Sequence, residues 1–455
     1  MNTVVRKELS VVGAQAGRGP ARLHRDHVAE VTEDLCSTVF TSLRRRDQRE
    51  KGRQYVRGLL ATRGRKSIRN IAAQIGGPAA EQSLHHFISS STWDWQPIRT
   101  ALSRYLESST PLTAWVAQPM AIPKGGDHSV GVGHRFDPHQ GQMFRGQQAF
   151  GIWFTSADVI TPVGWRLFLP EQGEEGEAAA YEAQAAAGDG ASVPGPVPGS
   201  GPVPGESYEE CATTGVLDTV RQCGMPPRPV IMDIRDIGTR STMNRFAEAR
   251  LPVIARISPS TRLLVTDPAL PGHGAGTLAA RDILQSVKGL RAPVEWPDPV
   301  HPGMRRNSLV AAVRVMMPDP SPARRRHLLL LGEWTDPRRL PSQLWVTDLV
   351  RMPAAPLLRL TKQARRVAVA STQSVQEVGL RDFAGRSLPG WHRHVTMASV
   401  AHAARCLSAG AGSAGAGSAG AGWGAAGSAG AGWGGAGSAG AGRLAVPAYA
   451  RAALA

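Results

Sequence analysis

The sequence predicts an α/β protein in which a helical N-terminal part precedes a mixed β-sheet. Between about Val28 and Leu106, apolar residues recur every three or four positions, as on one face of a helix. From Leu112 onward, short apolar runs follow one another and then alternate with helical segments. This order is typical of a mixed sheet with antiparallel strands at one side.

Along the chain, residues 1–27 are polar without an apolar period, so we expect a disordered leader, and residues 28–110 predict an all-α domain. Strands are expected in the runs that start at Thr113, His128, Ala149 and Trp165. A short strand over 229–233 is expected between helices at 216–223 and 240–250, and 357–407 is expected to be helical.

Two segments have the composition of linkers. Residues 172–206 are acidic and Ala-rich and then repeat Val-Pro-Gly, which predicts an extended surface insertion. Residues 409–442 repeat Gly, Ser and Ala without a charged residue, so we interpret 406–455 as a low-complexity, flexible tail. Silk-like stacking of that repeat is the alternative.

The composition favours a nucleic-acid partner. There are 52 Lys and Arg residues against 36 Asp and Glu, a net charge of +16. Clustered cations gain affinity for nucleic acid by releasing counterions from phosphates. The four cysteines lie far apart and lack metal-ligand spacing, so neither a disulfide framework nor a zinc ribbon is expected. No apolar run approaches the ~18 residues of a membrane span. We therefore expect a cytoplasmic, nucleoid-associated protein with no membrane partner.

The strongest charge cluster lies at residues 41–70, where eleven Lys and Arg residues stand against two acids. A solvated helix face is the structural alternative to phosphate contact here. Trp391-His-Arg-His394 is a second cluster, and without a Cys or carboxylate partner at metal-ligand spacing we interpret it as surface or phosphate-facing. Asp233 ends an apolar strand before a helix, which suits a catalytic acid, a metal ligand or simply a helix N-cap.

Several segments together resemble a known family: Ser42-Leu-Arg-Arg-Arg-Asp-Gln-Arg, Tyr55-Val-Arg-Gly-Leu-Leu, Leu84-His-His-Phe, Trp93-Asp-Trp, Pro123-Lys-Gly-Gly-Asp-His-Ser-Val-Gly-Val and Gly385-Arg-Ser-Leu-Pro-Gly-Trp-His-Arg-His394. In this order, over about residues 38–405, they resemble bacterial insertion-sequence transposases of the DDE, RNase H-like superfamily, in the group numbered 701. The resemblance implies a helical DNA-binding domain at 28–110 and an RNase H-like domain at 111–405, interrupted by a β-rich insertion at 239–355. It implies duplex DNA as partner and admits a homodimer.

The basic residues that we expect to contact DNA lie mainly in the N-terminal cluster; they are Arg44, Arg45, Arg46, Arg49, Lys51, Arg53, Arg57, Arg65, Lys66, Arg69, Lys124, Arg393 and His394. In the family that the chain resembles, three carboxylates hold two Mg²⁺ ions that cut and join DNA strands.

The sequence departs from the family pattern at these acids. By register with Pro123-Lys124 the first-strand acidic pair falls on Gln118 and Pro119, and by register with Gly379-Leu380 the helix glutamate falls on Ala368 and the basic residue after it on Val375. Asp233 alone keeps its carboxylate, unless Asp127, Asp137 or Glu377 substitutes for a lost one. We therefore expect no bound cofactor, or Mg²⁺ if the enzyme is active.

Three functions compete at this stage. The first is a catalytically degenerate DNA-binding protein of the transposase family, such as a domesticated regulator or a repressor of related elements. The second is an active, Mg²⁺-dependent transposase. The third is a decaying gene product with no selected role, which the linker and tail partly support.

Overall fold

The N-terminal part is helical, as predicted. In the computed structural model its helices are α1 (Pro20–Val39), α2 (Arg46–Ala61), α3 (Ile68–Ala73), α4 (Pro78–His85) and α5 (Gln96–Ser109). Ser67 caps α3 by accepting a hydrogen bond from the Asn70 backbone N–H, and proline occupies the first turn of α4 and α5, where no intrahelical partner is lost. The structure describes residues 20–126, 128–137, 141–169, 206–234, 238–301, 303–319 and 325–418, except for the side chains of 20–24, 137 and 410–418.

Some of the predicted boundaries differ from the structure. Helix α1 begins at Pro20, inside the expected leader, and the last helix continues to Ser418, inside the expected tail. Residues 128–132 form a turn rather than the predicted strand. Nearly all of the predicted 172–206 linker, and the tail beyond residue 418, lie outside the described residues.

A mixed sheet follows the N-terminal helices and confirms the predicted fold class. Its first strands are β1 (Ala114–Pro123), β2 (Gly133–Asp137), β3 (Gln142–Thr155), β4 (Ile160–Phe168), β5 (Val230–Met232) and β6 (Val253–Arg256). Strand β3 pairs antiparallel with β1, β2 and β4, whereas β5 pairs in parallel with both β1 and β6. This is the arrangement expected of an RNase H-like sheet, with helices α6 (Tyr208–Cys223) and α7 (Thr239–Glu248) flanking β5 in the chain.

The β-rich segment extends this sheet instead of forming a separate layer. It comprises β7 (Arg262–Val265), β8 (Thr277–Ala279), α8 (Ala280–Ser286), β9 (Ala292–Pro297), β10 (Arg305–Met316), β11 (His327–Trp334) and β12 (Gln343–Thr347). Strand β12 pairs antiparallel with β6, and β11 and β10 follow it. Because α7 leads directly into β6, a strand of the central sheet, the insertion begins after Arg256 and not at 239.

Two long helices, α9 (Ala354–Glu377) and α10 (Leu388–Ser418), lie in different apolar clusters of the core. Helix α9 shares its cluster with β1, β5, β6 and β9–β12, through side chains such as Val116, Ile231 and Ile254. Helix α10 belongs to the cluster that also contains the N-terminal helices. The predicted N-terminal domain therefore has no separate core. None of the helices in the described ranges is long and apolar enough to cross a membrane.

Candidate active site and nucleic-acid interface

The strand register places three polar side chains side by side, one in the middle of β1 and the other two at the carboxyl ends of β5 and β6. Ala117, Met232 and Ala255 are paired across these parallel strands, so the residues that follow them are Gln118, Asp233 and Arg256. Side chains two positions apart on a strand point to the same face of the sheet. The residues two positions before these three are Val116, Ile231 and Ile254, and all of them pack in the α9 cluster. Gln118, Asp233 and Arg256 therefore share the sheet face that α9 covers.

Asp233 is held by an ion pair. The Arg256 guanidinium donates a hydrogen bond of 2.7 Å to Asp233 Oδ1, and the side chains of Arg256 and Asp233 are only 23% and 24% exposed. A partly buried, charge-assisted pair of this length is stronger than a surface ion pair. The carboxylate that sequence analysis singled out thus has a cation of the protein at one of its oxygens, and it does not act as the N-cap of α7, a position that Gly238 occupies.

A second, more deeply buried ion pair lies on the same face. Lys362 of α9 donates hydrogen bonds of 2.5 and 2.6 Å to the two carboxylate oxygens of Glu333, and Ser308 donates another of 2.6 Å to Oε1. Burial lowers the pKa of Lys362, whereas the carboxylates of Glu333 and Asp233 raise it. The lysine therefore lies within electrostatic range of Asp233, and a second protein cation faces the site.

These residues do not fit the two Mg²⁺ ions that the family resemblance implies. Mg²⁺ prefers several hard oxygen ligands. Gln118 offers one neutral amide oxygen, Pro119 and Ala368 offer no side-chain oxygen, and Asp233 is already paired with Arg256. Glu377, a possible substitute, pairs with Arg405 at 2.8 Å, while Asp127 and the Asp137 side chain lie outside the described residues. In the part of the chain that is described, no group of three or more His, Cys, Asp or Glu side chains is arranged to hold a metal.

The basic N-terminal cluster lies mostly at the surface. Helix α2 buries Tyr55, Val56 and Leu59, which leaves its charged residues on the outer side. The exposed members of the predicted set are Arg44, Arg45, Arg46, Arg57, Arg65 and Arg69, and the half-buried ones are Arg49, Lys51 and Arg53. Asp47 binds Arg45 at 2.8 Å, and Glu33 binds Arg53 at 3.0 Å and Arg57 at 2.6 Å, so part of the charge is neutralised within the surface.

Three of the residues that were predicted to contact DNA are instead buried in the structure. The Lys66 ammonium donates to the Thr62 carbonyl oxygen, and Arg393 donates to the carbonyl oxygens of Trp93 and Ile88. His394 Nδ1 lies 2.9 Å from the Tyr55 hydroxyl and Nε2 lies 2.9 Å from the Gly379 carbonyl oxygen. Buried polar groups need such partners, and through them Arg393 and His394 join α10 to the N-terminal helical part, whereas the Lys66 contact lies within that part. Lys124 is half-buried, with its ammonium on the Phe383 carbonyl oxygen.

The family comparison agrees with the RNase H-like fold. A family model described as "DDE superfamily endonuclease" matches residues 38–317, which is more than half of the chain. The chain belongs to the DDE superfamily endonuclease family. No curated protein matches it. The region matched to the DDE family holds α2–α5, the RNase H-like strands and Asp233, but it ends before α9 and therefore before Ala368.

Sequence reasoning missed Arg256, Glu333 and Lys362 in this DDE-family chain. Arg256 comes at the end of an apolar run, as Asp233 does. This shared position was the sequence signal that could have placed the two side chains together. Glu333 and Lys362 lie 29 residues apart in the sequence, and nothing local indicates that they pair.

Proposed function

We propose that this DDE-family chain binds duplex DNA and does not cleave it. The observation that carries the proposal is the 2.7 Å ion pair between Asp233 and Arg256, formed at the carboxyl end of the strand next to β1. At this place the family function needs a cluster of carboxylates free to recruit metal. Here the Arg256 guanidinium forms an ion pair with the Asp233 carboxylate, and the neighbouring strand β1 contributes only the neutral side chain of Gln118.

Electrostatics opposes divalent ions at this site. Asp233 is neutralised by Arg256 and Glu333 by Lys362, so neither carboxylate offers the uncompensated negative charge that would recruit a divalent ion. An active, Mg²⁺-dependent transposase is the competing function, supported by the family match and the retained Asp233. Cleavage would require Arg256 to release Asp233, and it would require metal ligands that Gln118, Pro119 and Ala368 do not provide.

DNA binding is supported by the exposed arginines on and around α2. Arginine side chains at a surface gain affinity for duplex DNA by displacing its counterions. We further propose that the chain is of the insertion-sequence group 701 type, acts as a domesticated regulator or repressor at the nucleoid, and does so as a homodimer. The order of the matched segments and the net charge of +16 support the first two assignments, and the dimer rests on the resemblance alone.

The experiment is a salt titration of affinity for a labelled duplex in EDTA. Arg44, Arg46 and Arg65 are replaced by Gln together, and a control variant replaces the exposed Arg281, Arg338 and Arg339 of the β-rich segment. Both variants lose the same charge. We expect the slope of log affinity against log salt to flatten by up to ~2.7 units in the first variant, because each phosphate contact contributes about 0.9.

The control variant should keep the wild-type slope. Equal slopes in all three proteins would place the DNA contact elsewhere, and an absence of binding by the wild type at low salt would refute the proposed function.

A further inference from the structure

Two large apolar side chains lie exposed on the ribbon formed by β2 and the start of β3. Phe136 is 53% exposed and Met143 is 62% exposed. The two residues are directly opposite in the antiparallel register, so their side chains lie next to each other on one face of the ribbon. A partner that covers this apolar pair would remove its surface from water, and this burial would contribute favourable free energy to binding.

The ribbon is nevertheless fixed to the domain. Gln148 donates a hydrogen bond of 2.8 Å to the Phe136 carbonyl oxygen, and the Arg135 guanidinium lies 5.7 Å from the centre of the Phe168 ring. Arg135 also donates to the Gly131 carbonyl oxygen at 3.2 Å. The backbone that carries the apolar pair is thus positioned by contacts on the other side of the strand, while the Phe136 side chain stays 53% exposed.

Cations lie beside the apolar pair. His134 and Arg145 form the next same-face pair of the ribbon, and both are exposed. The Lys124 backbone N–H donates to the Arg145 carbonyl oxygen at 3.0 Å. Burial lowers the pKa of Lys124 and the Arg65 guanidinium lowers it further, whereas the Asp382 carboxylate raises it, so Arg65 of the N-terminal basic surface and Asp382 are both nearby. The sequences of β2 and β3 contain one acid, Asp137.

We propose that the β2–β3 ribbon enters a groove of duplex DNA, with Phe136 and Met143 wedged against a base-pair step and His134 and Arg145 on the flanking phosphates. This inference rests on the proposed DNA-binding function. β-Ribbon proteins bind in either groove of DNA, and apolar side chains wedge between base pairs from the minor groove, so the minor groove is the one that this ribbon would enter. Phe and Met are among the side chains that unstack bases when architectural proteins bend DNA. A second copy of the chain fits less well, because stacking two such faces brings their cations together.

The test compares a fully paired duplex with the same duplex carrying a central mismatch, which costs less to unstack. Wild type should bind the mismatched duplex about tenfold more tightly and raise the fluorescence of 2-aminopurine placed beside the mismatch. Phe136→Ser with Met143→Ser should abolish the preference and the fluorescence rise, and leave the salt slope unchanged. Leu290→Ser with Leu340→Ser is the matched control, since these leucines are 63% and 61% exposed.

Arg145→Gln provides the complementary measurement. It should reduce the salt slope by about 0.9 on both duplexes and keep the mismatch preference.

The outcomes separate the two proposals. If wild type binds neither duplex, the proposed function itself fails. If it binds both with an arginine-dependent salt slope, and the double serine variant keeps the wild-type mismatch preference, only the ribbon is refuted. If the double serine variant instead converts a dimer into a monomer in sedimentation and binds DNA as wild type does, the pair is an interface between two copies and the wedge is overturned.

Discussion

Acid should destabilise this protein through the histidines of α10. His394 and His402 are buried, and desolvation is the largest cause that lowers the pKa of each to about 4. The unfolded chain binds a proton at each imidazole near pH 6.5, while the folded chain leaves both neutral. Below pH 6.5 the unfolded state therefore binds more protons, and stability falls as the pH falls toward 4.

The magnitude follows from these pKa values. Between about pH 7.5 and about pH 5.5, each histidine should reduce the free energy of unfolding by about 1.3 kcal/mol, or about 2.7 kcal/mol together. The pKa of His392 is lowered by burial as well and acts in the same direction. The measurement is urea unfolding of the full chain at the two pH values, followed by tryptophan fluorescence.

Variants identify the source of the pH effect. His394→Gln and His402→Asn should each remove about 1.3 kcal/mol of the pH difference, whatever their stability at pH 7.5. The exposed His85 is the control, and His85→Gln should leave the difference unchanged. A wild-type stability that is equal at both pH values would refute the reasoning.

Two further predictions concern packing. Lys362→Met leaves the Glu333 carboxylate buried without its cation and should cost about 3–5 kcal/mol in urea unfolding, whereas adding Glu333→Leu should recover most of that loss; similar values for the single and double variants would contradict this. Gly146→Ala places a Cβ against the backbone of Ile122 in the paired strand, so its melting temperature should fall clearly below that of Gly125→Ala, where the space is open; equal melting temperatures would show that β1 and β3 separate easily.

The elements that sequence analysis predicted best are those with a local signal. Strands β1 and β5 are short apolar runs, and α5 is an amphipathic segment with proline in its first turn, so pattern alone indicates them. The register of β5 with β6 depends on residues far apart in the sequence, and the Asp233–Arg256 pair could not be foreseen without it.

The burial of polar and charged residues is what the sequence did not indicate in the predicted site. Arg393 and His394 read as surface cations because their sequence neighbours are polar or aromatic. Their partners are carbonyl and hydroxyl groups some 300 residues earlier in the chain, at Trp93, Ile88 and Tyr55, and only tertiary packing supplies these contacts.

The most direct test of binding without cleavage is one reaction scored for both. Supercoiled plasmid and a labelled duplex are incubated with wild type or Asp233→Asn, with Mg²⁺, with Mn²⁺ or with EDTA. In each of the three conditions, we expect wild type and variant to shift the same fraction of the duplex. Nicking should stay at the level of buffer alone, because Asp233 is already paired with Arg256. Robust Mg²⁺-dependent nicking by wild type that Asp233→Asn abolishes would contradict the account.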